Sequence, residues 1–246
     1  ARFGEVVAHK TYAFISDGGI QEEVSQGAGR IAGHLGLHNL IMFYDSNDVQ
    51  LSTRVNEVDR EDVAAKYRAW GWNVLEVDGC DPIAIADALR RAGEETERPT
   101  LIIGHTIMAK GAVRADGSSL EGAVNTHGQP LSAAGADIDA TVRNLGGNPE
   151  NPWEIRPEVK ALYEARAAEL EKIVAARRAD FDAWAAREPE QAALRQQYKE
   201  LRLPDLDWDS IEFKPNIASR AASATVLGYL AEHVGNMIVS SADLAN

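Results

Sequence analysis

The sequence is short of cysteine, of positive charge and of long apolar runs, and each shortage narrows what the chain can be. Cys80 is the single cysteine in 246 residues. No internal disulfide can form, and a reducing compartment, the cytoplasm, is the simpler expectation. Lys and Arg number 25 against 38 Asp and Glu, a formal net charge of -13. That balance argues against nucleic acid as a partner, because such binding is driven by basic residues that displace counterions. No apolar run approaches the roughly 20 residues that span a bilayer, and the opening residues do not read as a secretory signal. What is present is ordinary for a globular protein: 45% apolar and 26% charged residues, enough for a substantial core. The acid excess sets a condition, however. Phosphate ligands would need local positive potential from a metal ion, helix N-termini or single arginines.

The first half alternates strand and helix. Thr11–Ile15, Leu40–Tyr44, Asn73–Val77 and Thr100–Ile103 read as strands, Leu40–Tyr44 as a fully buried one. Ser16-Asp17-Gly18-Gly19 reads as a turn before a helix from Ile20 to His34, and Asp59 as the cap of a helix carrying Val63, Tyr67 and Trp70. Asp81-Pro82 opens a further helix with proline in its first turn. Strands alternating with helices of this length imply an α/β fold, a parallel sheet with helices on both faces. After Gly147 the character changes: Pro149, Pro152 and Pro157 lead into a long stretch rich in Ala, Glu and Arg. There Val159, Leu162, Tyr163, Leu170, Ile173, Val174, Phe181 and Trp184 recur at helical spacing, as expected of a surface or linking helix. Ser219–Glu232 reads as another helix and Met237–Ser240 as another buried strand. The chain is expected to be incomplete, since the roughly 30 residues after Asn216 are too few for a domain.

Asp17-Gly18 falls at the carboxyl end of a predicted parallel strand, where open α/β sheets bind ligands. A second strand ends at Tyr44-Asp45-Ser46-Asn47, so neighbouring strand ends can present Asp17 and Asn47 to one point. A carboxylate, an amide oxygen and a backbone carbonyl are hard oxygen ligands suited to magnesium. Gly18 lets backbone approach a phosphate, and the helix that follows points its positive end at it. Asp-Gly is also a common turn, so these residues alone support plain turn chemistry equally well.

The surrounding words decide more. His9-Lys10-Thr11-Tyr12-Ala13-Phe14, Ser16-Asp17-Gly18 and Gln21-Glu22-Glu23, followed by Phe43-Tyr44-Asp45-Ser46-Asn47, closely resemble the thiamine-diphosphate motif of the transketolase family. Thr126-His127-Gly128-Gln129-Pro130-Leu131 looks like that family's His-Gly-x-Pro-Leu segment. Ile217-Ala218-Ser219-Arg220-Ala221-Ala222-Ser223 and Ser240-Ser241-Ala242-Asp243-Leu244 look like the opening of its pyrimidine-binding domain. The segments fall in family order across nearly the whole chain.

The resemblance implies the thiamine-diphosphate-binding fold and a division into a diphosphate-binding domain over 1–147, a helical linker over 148–216 and the start of a pyrimidine-binding domain over 217–246. It implies thiamine diphosphate and Mg2+ as cofactors, with Ca2+ or Mn2+ as substitutes, and sugar phosphates and an identical subunit as partners. The reaction would move a two-carbon ketol unit from a ketose phosphate to an aldose phosphate. Asp17 and Asn47 would ligate the metal through side chains and Val49 through its carbonyl. Gly18 would contact the diphosphate, and Leu51 and Met108 would pack against the thiazolium ring, though ordinary core packing would serve those two as well. His127 would touch both diphosphate and reacting sugar, where imidazole can donate or shuttle protons. Arg220 would clamp the substrate phosphate, the alternative being a helix-end salt bridge. Asp243 would lie near the neighbouring subunit's cofactor, or else cap a strand end. Glu22 aligns with an interface acid, while Gly27 stands where the family carries the next one. Ser16 replaces the motif's usual first glycine, and Asp48 adds a negative charge beside the metal.

The same resemblance places the glutamate that activates the aminopyrimidine beyond Asn246, and several substrate-binding histidines before Ala1. The chain by itself is therefore expected to hold a half-site and not a complete catalyst. Deoxyxylulose-phosphate synthases and 2-oxo acid dehydrogenases share Asp-Gly…Asn but not the His127 and Arg220 segments in this form. A nicotinamide dehydrogenase would want Gly-x-Gly-x-x-Gly, which Ser16–Gln21 does not supply. A non-catalytic binding domain of the same fold remains the alternative from another class.

Overall fold

The computed structural model describes residues 3–239. Strand β1 (Thr11–Ser16) runs into a short helix α1 (Asp17–Gln21), and α2 (Glu23–His34) follows. Strand β2 (Leu40–Ser46) leads to a small antiparallel hairpin, β3 (Val49–Gln50) and β4 (Thr53–Arg54). Next come α3 (Val63–Ala69), β5 (Asn73–Asp78), α4 (Pro82–Glu94), β6 (Thr100–His105) and α5 (Ile138–Asn144). The sheet order is β1-β2-β6-β5, every pair parallel. Ser16 pairs with Asp45 and Ser46 with His105, so the carboxyl ends of three neighbouring strands lie level.

Each of the four strands expected in the first half is present and runs one or two residues further than its apolar run. The parallel ladder carries the pairing into the polar residues where the connecting loops begin. The faces separate cleanly. Ile20, Ala32, Tyr44, Ala64, Tyr67, Trp72, Leu101 and Ile103 form the core under α1, α2 and α3, and Ile41, Leu75, Ala88, Ala92 and Ile102 form the core under α4. Successive residues of β6 thus serve opposite faces, as the two-residue period of a strand requires. Full burial of such aliphatic side chains stabilises by roughly 1.5–3 kcal/mol each. The Trp72 indole, inside the first core, donates to the Gly29 carbonyl at 2.8 Å, so its polar edge is satisfied.

Several local expectations are corrected. Ser16-Asp17-Gly18-Gly19 is not a turn before the helix but its beginning: the Ser16 hydroxyl caps α1 by accepting from the Gly19 amide. The expected helix from Ile20 to His34 is broken at Glu22, which is extended at ψ 133. Two side-chain amides answer backbone carbonyls there, Gln21 donating to Asp17 and Gln26 to Gln21. Asp62, not Asp59, caps α3, accepting from the Ala65 amide at 2.8 Å. Asp59 instead accepts from Glu61 in the extended approach. Strand β2 is buried at Ile41 and Tyr44 and only half-buried elsewhere.

By compactness, His9–Tyr163 makes one unit, and the residues up to Ala8 with those from Glu164 onward make the other. The second unit is helical: α6 (Pro157–Arg187) from Glu164 onward, α7 (Pro189–Lys199) and α8 (Ser219–His233). Helix α6 buries no residue, as a surface or linking helix would not. Pro189 in the first turn of α7 keeps the two helices separate. Phe3 packs on Trp184 and Tyr198, and the Arg195 guanidinium lies 4.9 Å from the Phe181 ring centre. Residues 237–239 form no strand, contrary to expectation, with Ile238 93% exposed; they have no sheet neighbour among the described residues. Ser240 and Asp243 lie outside the described residues. No described helix is long and apolar enough to cross a membrane.

Candidate functional site

Because β1 and β2 are adjacent and level, the residues that follow each strand meet. Asp17, the first residue of α1, is only 2% exposed. Its Oδ2 accepts from the Asn47 amide at 2.9 Å, and its Oδ1 accepts from the Tyr44 hydroxyl at 2.5 Å. Burial holds the Asp17 carboxyl above the usual carboxylate range. Hydrogen bonds from Tyr44 and from the main chain of Asn47 and Asp48 offset only part of this, and the charge of Asp45 adds to it. Burial and the bond to Asp17 push the Tyr44 phenol up in turn.

Asn47 Oδ1 accepts from the Val49 amide at 3.0 Å, closing a tight turn in which Asp48 takes φ 63. Val49 is buried at the start of the hairpin, and Leu51, 71% exposed, sits at its tip beside Ser52 at φ 83. Gln21 ties this hairpin to α1 through a 2.9 Å bond to Gln50. A cleft beside Asp17 is lined by Gln21, Tyr44, Ser46, Asp48 and Val55.

The loop after β6 completes the arrangement. The Thr106 hydroxyl donates to Asp45, and Met108 is half-buried. The Gly122 amide donates to the Met108 carbonyl at 2.9 Å. His127 ends the 3-10 turn Val124–Thr126, and its Nδ1 is buried with no hydrogen-bond partner among the described residues. Gly128 takes φ 71, and a Cβ there would lie 3.3 Å from Leu51 Cδ1, so the hairpin tip sits against the His127–Gly128 turn.

Of the residues singled out in the sequence, the structure therefore joins Asp17 to Asn47, Asn47 to Val49 and Leu51 to the turn after His127. Glu22 is exposed at the break between α1 and α2. Arg220 belongs to the other unit, exposed in the first turn of α8, and no ion pair holds it among the described residues. Sequence reasoning missed Tyr44 and Arg54. A tyrosine in a buried strand needs a partner for its hydroxyl, which was the available signal for Tyr44. Arg54 reaches Gly122, 68 residues away, and no short-range pattern announces that.

The residues present fit a magnesium diphosphate. Asp17 has accepted about three of the roughly four hydrogen bonds a carboxylate can take, which leaves capacity for one more ligand. Its ionised form is disfavoured by burial, and a bound cation would reverse that. Among the described residues no three His, Cys, Asp or Glu side chains form a metal cage. A Cβ on Gly18 would meet nothing within 4 Å, so its backbone is open to approach. The partnerless Nδ1 of His127 offers a further polar contact, since buried polar atoms without partners call for a ligand or water.

Residues 2–204 match the family model described as transketolase, thiamine diphosphate binding domain. Transketolase 2 of Xanthobacter flavus is 35% identical over 254 residues, covering 98% of this chain and 35% of that protein. Transketolase from Leishmania mexicana superposes with a TM-score of 0.79 at 26% identity, over 94% of this chain and 34% of that one. Pichia stipitis transketolase in complex with sedoheptulose-7-phosphate gives a TM-score of 0.79 at 33% identity, over 97% of this chain and 35% of that one. The chain thus spans about a third of the length of the relatives it matches.

Proposed function

This chain belongs to the transketolase family, and from that premise we propose that its His9–Tyr163 unit holds the magnesium and diphosphate of a two-carbon ketol transferase acting on sugar phosphates. The observation that carries the proposal is the buried Asp17 carboxylate hydrogen-bonded to the Asn47 main chain at the ends of two adjacent parallel strands. Asp17, the Asn47 side chain and the Val49 carbonyl would hold Mg2+, and the Gly18 backbone would face the diphosphate. Leu51 and Met108 would flank the thiazolium ring. When bound, thiamine diphosphate supplies an electron sink for the two-carbon unit.

The chain's own residues bind and orient. His127 would donate to diphosphate or sugar oxygens through its partnerless nitrogen and could move a proton there. Arg220 would bind a sugar phosphate with its forked donors. Asp243 would approach the cofactor of an identical subunit, and Glu22 would lie in the interface with it. Residues 148–216 would act as a linker, and 217–246 would begin a pyrimidine-binding domain.

Titration calorimetry tests the core of this reading. The chain should bind thiamine diphosphate only when Mg2+ is present, and Asp17→Ala should abolish that binding while the fold survives. Binding that ignores Mg2+, or that persists in Asp17→Ala, would overturn it.

A further inference from the structure

We infer that Arg54 is a positioning residue of this site. It clamps the β3–β4 hairpin, which carries Val49 and Leu51, to the loop that carries Met108, and it offsets the charge of Asp48 beside Asn47. The inference rests on the cofactor reading above.

The guanidinium forks. Nη1 meets Asp48 Oδ2 at 3.3 Å, and Nη2 donates to the Gly122 carbonyl at 2.9 Å. The amide of that same Gly122 donates to the Met108 carbonyl at 2.9 Å, so one residue links Arg54 to the loop beneath Met108. On its other side Arg54 is paired with Val49 across the hairpin, and the next amide, Val55, donates to the Asp48 carbonyl at 3.2 Å. Arg54 thus joins two chain segments whose residues are proposed to flank one ring. No other bond from the hairpin to the 108–122 loop is seen among the described residues. A lysine could reach one of the two acceptors but not span both, because its ammonium is a single point and the guanidinium a planar fork.

Charge gives the second reason. Asp48 stands between two proposed metal ligands in a chain of net charge -13. An unpaired carboxylate there would repel an arriving diphosphate, and Arg54 is its ion-pair partner. Both side chains are about half exposed. Exposed ion pairs contribute little to folding, so the effect should appear in local order and cofactor affinity while global stability barely moves.

Two measurements on the 246-residue chain decide it. In metal-free protein followed by hydrogen exchange, Arg54→Ala should speed exchange at the Gly122 and Val55 amides by about tenfold, the loss of one charge-assisted bond. Arg54→Lys should lie between. Exchange at Gly122 within about twofold of wild type would remove the clamp. In calorimetry at saturating Mg2+, Arg54→Ala should weaken thiamine diphosphate binding roughly three- to tenfold, and Asp48→Asn added to it should recover part of the loss. If wild type binds and Arg54→Ala binds equally well, the inference fails alone. If wild type does not bind at all, the cofactor reading fails and takes Arg54's role with it.

Discussion

The Tyr44 hydroxyl and the Asp17 carboxylate, 27 residues apart in sequence, share a 2.5 Å hydrogen bond in the interior beneath the strand ends. Tyr44 belongs to the core under α1–α3, and Asp17 to the proposed metal site. The bond therefore couples packing to the proposed site: the core fixes the carboxylate's rotamer.

Tyr44→Phe should cost stability because it leaves a buried carboxylate short of a donor. A hydrogen bond to a charged group is worth roughly 1.5–3 kcal/mol, and the aromatic packing is kept. The expected loss is about 1.5–3 kcal/mol by urea denaturation near neutral pH. A loss below about 0.5 kcal/mol would mean that the main-chain donors of Asn47 and Asp48 suffice.

The pH dependence has a definite sign. Burial raises the folded-state pKa of Asp17 above its ordinary value of 3.8. Its favourable contribution is thus complete below that unfolded value and is lost as pH rises through the folded value. Metal-free wild type should therefore lose ground to Asp17→Asn as pH climbs from about 3.5 toward 7. Added Mg2+ and thiamine diphosphate should raise the melting midpoint of wild type and leave the variant unmoved. Parallel melting curves of both proteins across this range, with and without chelator, provide the check.

Much of this was legible in the sequence, for reasons that particular residues make plain. Four apolar runs gave four strands, although only β6 is buried along nearly its whole length, and each run stops where polar loop residues start. The Asp17–Asn47 meeting followed from two strand ends thirty residues apart becoming neighbours. The helix break at Glu22 was not legible: an apolar pattern continues across it, and the interruption depends on Gln21 and Gln26 bonding to carbonyls. The cap at Asp62 was missed because three acids crowd the same approach, Asp59, Glu61 and Asp62, and only backbone geometry chooses between them. Arg54 was invisible for a different reason. Its partner Gly122 lies in a long loop with no periodicity to place it.

Two glycines separate steric need from helix preference. A Cβ on Gly33 of α2 would fall 1.9 Å from the Trp70 carbonyl oxygen, and one on Gly104 of β6 would fall 2.2 Å from the tip of the Phe43 ring. A backbone oxygen cannot swing aside, whereas a half-buried ring can turn. Alanine in a helix gains about 0.8–1 kcal/mol over glycine, while overpacking typically costs 1–3 kcal/mol and occasionally more. Gly33→Ala should still destabilise, by about 2 kcal/mol, and by more than Gly104→Ala does. The reverse order in denaturant midpoints would show that α2 and the Trp70 turn can move apart.

His127 offers the sharpest separation of a ligand-binding role from a structural one. A structural histidine is held by bonds, and removing it costs stability. Here Nδ1 is buried without a partner among the described residues, a condition that costs about 1–3 kcal/mol when nothing answers it. Losing the rest of the half-buried ring works in the opposite direction, so the two effects should nearly cancel in the ligand-free chain. His127→Ala is accordingly expected to stay within about 1 kcal/mol of wild type without ligand. With ligand the balance changes, because a bond to diphosphate or sugar oxygen is then lost outright. Affinity for magnesium thiamine diphosphate should fall about tenfold or more, the equivalent of roughly 1.4 kcal/mol. Calorimetric titration and urea denaturation of the same two proteins provide both numbers. A large stability loss with unchanged affinity would make His127 a scaffold residue of the 108–131 loop and leave the diphosphate to be held by Gly18 and the metal alone.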